Sequence, residues 1–159
     1  MKRLGSVVAM LTVAAFVGGV LASAPAIAKA KTKTIHVANV TSSNRDVNPC
    51  SGARGTFTVT YSGVFHSTKL PNGTSWFTGT LHGTASFVPR DPTQPSYAGR
   101  FTQWFGDENN LQNGVEHETF HANLRGTDGS TVMTHETAHM GTNANGVSFS
   151  FDKAQLTCR

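Results

Sequence analysis

The chain has 159 residues, of which 38% are hydrophobic and 14% charged, and its formal charge at pH 7 is +4. Two of the 13 basic residues, Lys2 and Arg3, lie at the start of an apolar leader. The rest of the chain therefore has 11 basic and nine acidic residues, which gives it a formal charge of +2. This small charge, and the lack of a basic run interleaved with aromatics, argue against nucleic-acid and anionic-membrane partners.

Residues 1–28 have the features of a secretory signal peptide. Lys2 and Arg3 form its charged start, residues 7–21 its apolar core, and Ala26-Ile27-Ala28 its A-x-A cleavage site. The apolar run is too short to span a membrane. We therefore expect a secreted, extracellular protein that is cleaved after Ala28, with a second candidate cleavage position after Ala30, and that has no membrane span.

Residues 29–159 suit a single domain with one core. Two cysteines in an exported chain, Cys50 and Cys158, indicate one disulfide. Such a bond would close a long loop and stabilise the fold mainly by restricting the unfolded chain.

The chain after the leader alternates apolar and polar residues in short segments bounded by turn residues, which predicts strands. Polar or glycine- and proline-rich stretches at 41–54, 90–96 and 106–114 are predicted loops. The predicted strands cover 34–40, 56–65, 75–88, 97–105, 115–125, 131–140 and 147–156.

The turn Pro71-Asn72-Gly73 joins the clearest hairpin. If Leu70 pairs with Thr74, Phe57 lies opposite Phe87 and both apolar faces coincide, which supports that register. Because alternating strands predominate and connections are short, we predict an all-β, antiparallel up-and-down meander, closed into a small barrel of about seven or eight strands. A β-sandwich is the alternative fold.

Two pentapeptides, at 117–121 and 135–139, spell H-E-x-x-H. This motif makes a zinc-protease site only on a helix, because histidines four apart on a strand are separated by roughly 13 Å. The sequence around the turn 126–130 favours strands for both copies, with a short helix over 115–125 capped by Gly126 as the alternative for the first copy. Both copies lack the glycine and third ligand of the extended protease motif. We therefore regard a zinc metalloprotease as the least favoured alternative.

A three-residue loop at 127–129 would place two imidazole pairs on one face of this hairpin, each with Cβ atoms about 4.5–5.5 Å apart. His121 would face His135, and His117 would face His139. A two-residue loop would instead set His121 against Glu136, but the apolar pattern favours the first register.

The histidine face has two interpretations. It is either an ordinary solvated strand face or a weak binding site for a small anionic ligand or for a zinc, copper or nickel ion. The candidate metal ligands are His117, His121, His135 and His139. Glu118 and Glu136 lie on the opposite face in this register, where a carboxylate among phenylalanines would suggest a ligand pocket inside the barrel. No other cofactor is indicated.

The PNG hairpin, Gly99-Arg100-Phe101-Thr102, the H-x-x-x-H strand, the turn Asn143-Ala144-Asn145-Gly146 and the closing Cys158 resemble small exported β-proteins of Gram-positive bacteria. The resemblance implies the β-fold and export, and it implies no activity.

No nucleophile motif or phosphate-binding glycine loop is present. The expected function is a noncatalytic binding or interaction module for a small ligand, a divalent metal or a surface partner. The alternative is a small-molecule barrel enzyme of cyclase or isomerase type, which a deep interior cavity with converging polar groups would favour.

Overall fold

The computed structural model describes residues 29–110 and 112–159, and the predicted signal peptide lies outside the described residues. Seven antiparallel strands form one sheet in chain order, each paired with the next. The predicted all-β, up-and-down meander is therefore confirmed. The strands are β1 (Lys31–Val47), β2 (Arg54–Lys69), β3 (Ser75–Pro89), β4 (Tyr97–Asn109), β5 (Asn113–Gly126), β6 (Thr131–Asn143) and β7 (Gly146–Cys158).

The two faces of the sheet differ in polarity because side chains alternate along every strand. The inner face carries the apolar core, and the outer face carries rows of threonine, serine and histidine. The core lies toward the ends of β3 to β6 that are near the disulfide. Its buried residues are Ala85, Phe87, Tyr97, Phe101, Ala122, Leu124 and Val132.

The sheet curls so strongly that its two edges approach each other at one end. In a flat sheet, β1 and β7 would lie roughly 29 Å apart, since neighbouring strands are about 4.8 Å apart. Yet Cys50, in the loop after β1, is bonded to Cys158 at the end of β7, with a Cα–Cα distance of 5.8 Å. The predicted disulfide is thus present. The sheet is not closed, because β1 and β7 are not hydrogen-bonded neighbours, so closure of the predicted barrel is not confirmed.

Inner-face glycines permit this curl. A Cβ atom on Gly83 would lie 2.1 Å from the carbonyl oxygen of Thr60, and one on Gly99 would lie 1.9 Å from that of Asn123. At both positions, the neighbouring backbone occupies the space of a side chain, as happens where a sheet bends sharply.

The β2–β3 hairpin has the register that the sequence predicted. Phe57 pairs with Phe87 and Val59 with Ala85, while Leu70 donates its amide to the carbonyl oxygen of Thr74 at 2.8 Å. The apolar alternation therefore determined the pairing, as expected where one face is buried.

Two predicted loops are shorter than expected. β1 continues to Val47, so the connection to β2 covers only residues 48–53. Residues 41–47 lack apolar alternation, but their outer-face hydroxyls pair across the strands, with Thr41 to Thr60 at 2.9 Å and Ser43 to Thr58 at 2.8 Å. Polar cross-strand contacts thus extend the sheet where hydrophobic pattern gives no signal.

The predicted loop at 106–114 is likewise mostly strand. β4 ends at Asn109 and β5 begins at Asn113, and the turn between them is held by the amide of Asn110 donating to the carbonyl oxygen of Asn113 at 2.9 Å. Within the described residues, no helix has the length and apolar character needed to cross a bilayer.

Candidate functional site

The turn between β5 and β6 sets the register of the histidine strands. The amide of Gly126 donates to the carbonyl oxygen of Ser130 at 2.7 Å, and Gly129 has a φ of 86°, which glycine adopts without strain. The amide and hydroxyl of Ser130 donate to Asp128 and lower the pKa of that carboxyl. The loop therefore has three residues, as the sequence predicted.

This register brings the histidines into the predicted pairs. His121 lies opposite His135, and His117 lies opposite His139. All four side chains are on the outer face, so the predicted common face is confirmed. The alternative register, with His121 against Glu136, is wrong.

The His117–His139 pair is in direct contact. The two Nδ1 atoms are 2.7 Å apart, and the ring centroids are 3.9 Å apart at an interplanar angle of 82°. One Nδ1–H donates to the other Nδ1 in this geometry. A tetrahedral zinc ion with Zn–N bonds of about 2.0–2.1 Å would need the nitrogens about 3.3 Å apart, so a small ring rotation would admit it.

The His121–His135 pair is looser. Its ring centroids are 6.2 Å apart at 60°, and both side chains are exposed. The two pairs are thus unequal, although their sequences are similar, and His117–His139 is the better candidate for binding a ligand.

Aromatic side chains border the closer pair. The Trp104 ring centroid lies 6.4 Å from that of His117, and the Phe149 centroid lies 5.2 Å from that of His139. With Phe151 and the neighbouring threonines, they line a shallow depression of about 390 Å³. The sequence did not single out these aromatics, although the pairing of β4, β5, β6 and β7 places them beside the histidines.

Within residues 29–110 and 112–159, no group of three or more His, Cys, Asp or Glu side chains could hold a metal ion. Any metal at His117–His139 would therefore have two protein ligands and would complete its coordination with water. Such a site is incomplete compared with structural zinc sites, which have four protein ligands.

Glu118 and Glu136 belong to the inner-face row of β5 and β6, as the register predicted. Glu118 nevertheless also borders the depression beside His117 and His139. The Nε2 of Gln103 donates to Glu118 at 2.7 Å, so this carboxylate already has a partner. Burial raises the pKa of Glu136 above its ordinary value, and the charges of Asp152 and Glu118 raise it further. These two glutamates therefore do not join the imidazole pair, and their role as a ligand pocket stays a prediction.

The two H-E-x-x-H segments do not have the helical conformation that the zinc-protease motif requires. Both H-E-x-x-H segments lie within strands β5 and β6 rather than on a helix. The two histidines within each copy are therefore too far apart along the strand to share one metal ion.

The pairing of the strands also shows a shared position of the histidines that the sequence analysis did not predict. Alternation from the paired positions puts every histidine of the chain on the outer face. The three beyond the β5–β6 hairpin are His36, His66 and His82, and the Nδ1 of His66 lies 3.0 Å from the hydroxyl of Thr34. The signal was available in the sequence, since each of these histidines stands at a polar position of an alternating strand.

Comparison of the chain with protein-family models, curated proteins and solved structures gave no match.

Proposed function

We propose that the protein is a noncatalytic binding module whose outer face holds a divalent transition-metal ion between His117 and His139. The observation that carries the proposal is the 2.7 Å separation of their Nδ1 atoms on adjacent strands. Imidazole nitrogens are good ligands for zinc, copper and nickel. Because only two protein ligands are supplied, the affinity is weak and the ion remains accessible to a second ligand.

The surroundings support this choice of pair. His139 is half-buried beside Phe149, and an apolar border restricts water around the bound ion, which strengthens electrostatic contacts. On the inner face, Ala85, Phe101 and Leu124 are closely packed and buried. A filled inner face at that end favours a surface-acting module over a barrel enzyme with an interior site.

We further propose that the protein is exported and that its sheet closes into a barrel. The disulfide and the curled sheet are compatible with an exported protein that loses residues 1–28 and with a barrel that closes at its disulfide end. Metal binding at His117 and His139 requires neither export of the protein nor closure of the barrel.

The test is calorimetric titration of zinc into the protein at about pH 7.5, since zinc and protons compete for the same imidazole nitrogens. We expect one weak site, lost in His139→Ala. His82→Ala is the matched control, since it removes an exposed outer-face imidazole on β3 and should bind zinc as the unmodified protein does. His121→Ala should have a small effect. Equal binding by His139→Ala and His82→Ala would show that zinc binds histidines unspecifically and would end the proposal.

A further inference from the structure

A second depression lies on the outer face, separate from the histidine pair. It measures about 470 Å³ and is lined by hydroxyl-bearing and small residues and by one cation, Arg100. The hydroxyls come from Thr58 and Thr60 on β2 and from Thr84 and Ser86 on β3. Ala98 on β4 also lines the depression, and its small side chain leaves space for a ligand.

The hydroxyl groups retain hydrogen-bonding capacity. Thr60 is paired with Thr41 and Thr58 with Ser43, one contact each. A hydroxyl has one donor and two acceptor positions, so each can make further bonds to a ligand. The depression thus offers several polar contacts on one side and a guanidinium on the other.

Arginines gather at this end of the sheet. Arg100 on β4 and Arg125 on β5 are diagonal neighbours on the outer face, because Arg100 pairs with Asn123 and Arg125 pairs with Ala98. The amide of Arg90 donates to the carbonyl oxygen of Arg54 at 2.8 Å. Every arginine of the described residues is exposed and lies at the disulfide end. They are Arg45, Arg54, Arg90, Arg100, Arg125 and Arg159.

The carboxylates at this end are already engaged by local donors. Asp46 accepts from the amide of Val47 at 2.7 Å, and Asp91 accepts from the amide of Thr93 at 2.9 Å. Asp128 accepts from Ser130. These three carboxylates stand against six arginines at this end of the sheet, and no carboxylate lines the depression, so the guanidinium of Arg100 is available to an external anion.

We propose that this depression binds an acidic sugar unit of a polysaccharide. The sulfate or carboxylate group of the sugar would bind Arg100, and its ring hydroxyls would bind Thr58, Thr84 and Ser86. Guanidinium groups form strong, directional hydrogen bonds with such anions. The other arginines would contact further acidic units along the polymer. This inference does not depend on metal binding at His117–His139.

The lining distinguishes this ligand from a nucleic acid. Proteins that bind single-stranded nucleic acid stack its bases on aromatic side chains. No residue that lines this depression is aromatic, whereas hydroxyl-rich walls match the many hydroxyls of a sugar.

The test is calorimetric titration with size-defined heparin oligosaccharides, at a salt concentration of about 0.15 M that screens unspecific attraction. We expect saturable binding that weakens about tenfold in Arg100→Gln, because a charge-assisted contact is lost. Ala98→Leu should weaken binding similarly by filling the depression without changing the charge.

Lys69→Gln is the matched control, because it removes one positive charge at the opposite end of the sheet, where Lys69 pairs with Lys31. It should change the affinity less than about twofold. Absence of heparin binding, equal effects of Arg100→Gln and Lys69→Gln, or unchanged binding by Ala98→Leu would each overturn the proposal. Equally tight binding of single-stranded DNA would replace it with an unspecific polyanion surface. Circular dichroism of each variant confirms that its fold is retained.

Discussion

Gly99 shows how one residue permits the curvature of the sheet. A Cβ atom there would meet the backbone of β5, at 1.9 Å from the carbonyl oxygen of Asn123 and 2.8 Å from the Cα of Leu124. Backbone atoms in a paired strand cannot move away as the tip of a flexible side chain can. We therefore predict that Gly99→Ala lowers the free energy of unfolding by about 1–3 kcal/mol, the usual cost of overpacking.

Urea denaturation followed by circular dichroism would measure this change. Gly106→Ala is the control, since its Cβ would meet only side chains, Trp104 at 3.3 Å and Thr78 at 3.7 Å, and the exposed Trp104 ring can shift. If both variants lose equal stability, the loss reflects strand propensity rather than the close approach of β5.

At the scale of the element, β7 is the strand most dependent on its covalent link. Its side chains are exposed except for the half-buried Thr157, and among the described strands it pairs with β6 alone. Val147, Phe149 and Phe151 are 63%, 54% and 46% exposed. Apolar burial therefore contributes little to holding this strand, and the Cys50–Cys158 bond fixes its end.

Replacement of both cysteines by serine should consequently destabilise the protein and loosen β7 first. A disulfide that closes a loop of about 100 residues stabilises by at most about 4.7 kcal/mol on the chain-entropy model. Hydrogen exchange should show faster exchange of β7 amides in the double variant, while the β2–β3 hairpin keeps its protection until global unfolding. Unchanged protection of β7 would contradict this account.

At the scale of the whole molecule, the curled sheet separates charge between its faces. The inner face of β4 to β7 carries five carboxylates, whereas Glu108 is the acidic residue on the outer face of these strands. The five are Asp107, Glu116, Glu118, Glu136 and Asp152. Burial raises the pKa of Asp107 as it does that of Glu136, so ionisation of these two groups opposes folding.

The pH dependence of stability follows from the raised pKa of Glu136. Between its ordinary value of 4.5 and its higher value in the fold, the folded protein binds more protons than the unfolded chain, so stability falls as pH rises through that range. Glu136→Gln should remove this loss and raise the free energy of unfolding at pH 7. The gain should stay below about 1 kcal/mol because the group is only partly buried.

Thermal unfolding at several pH values between about 4 and 7 would test this, with Glu108→Gln as the control for removal of an exposed outer-face carboxylate. The expected result is a higher midpoint for Glu136→Gln at pH 7 and convergence with the unmodified protein near pH 4. A lower midpoint at pH 7 would show that Glu136 makes a stabilising contact when ionised.

Much of the local structure was determined by the sequence itself. Alternation of Phe57 and Val59 with threonines placed these residues on one face and gave their pairing with β3. The turn at Asp128 and Gly129 did the same for the histidine hairpin. Such features depend on neighbours close in sequence, and a shift of one residue would expose a whole apolar face to water.

The tertiary structure decided what distant segments do to one another. Inner-face glycines such as Gly99 let the sheet curl until the β1–β2 loop meets the end of β7. That curl and the pairing of several strands bring Trp104 beside His117 and gather the arginines at one end. The small net charge of the chain did not predict this cluster of arginines, because net charge contains no information about where the charged residues lie. The closeness of His117 to His139, compared with His121 to His135, likewise depends on side-chain packing across strands, which alternation alone does not specify.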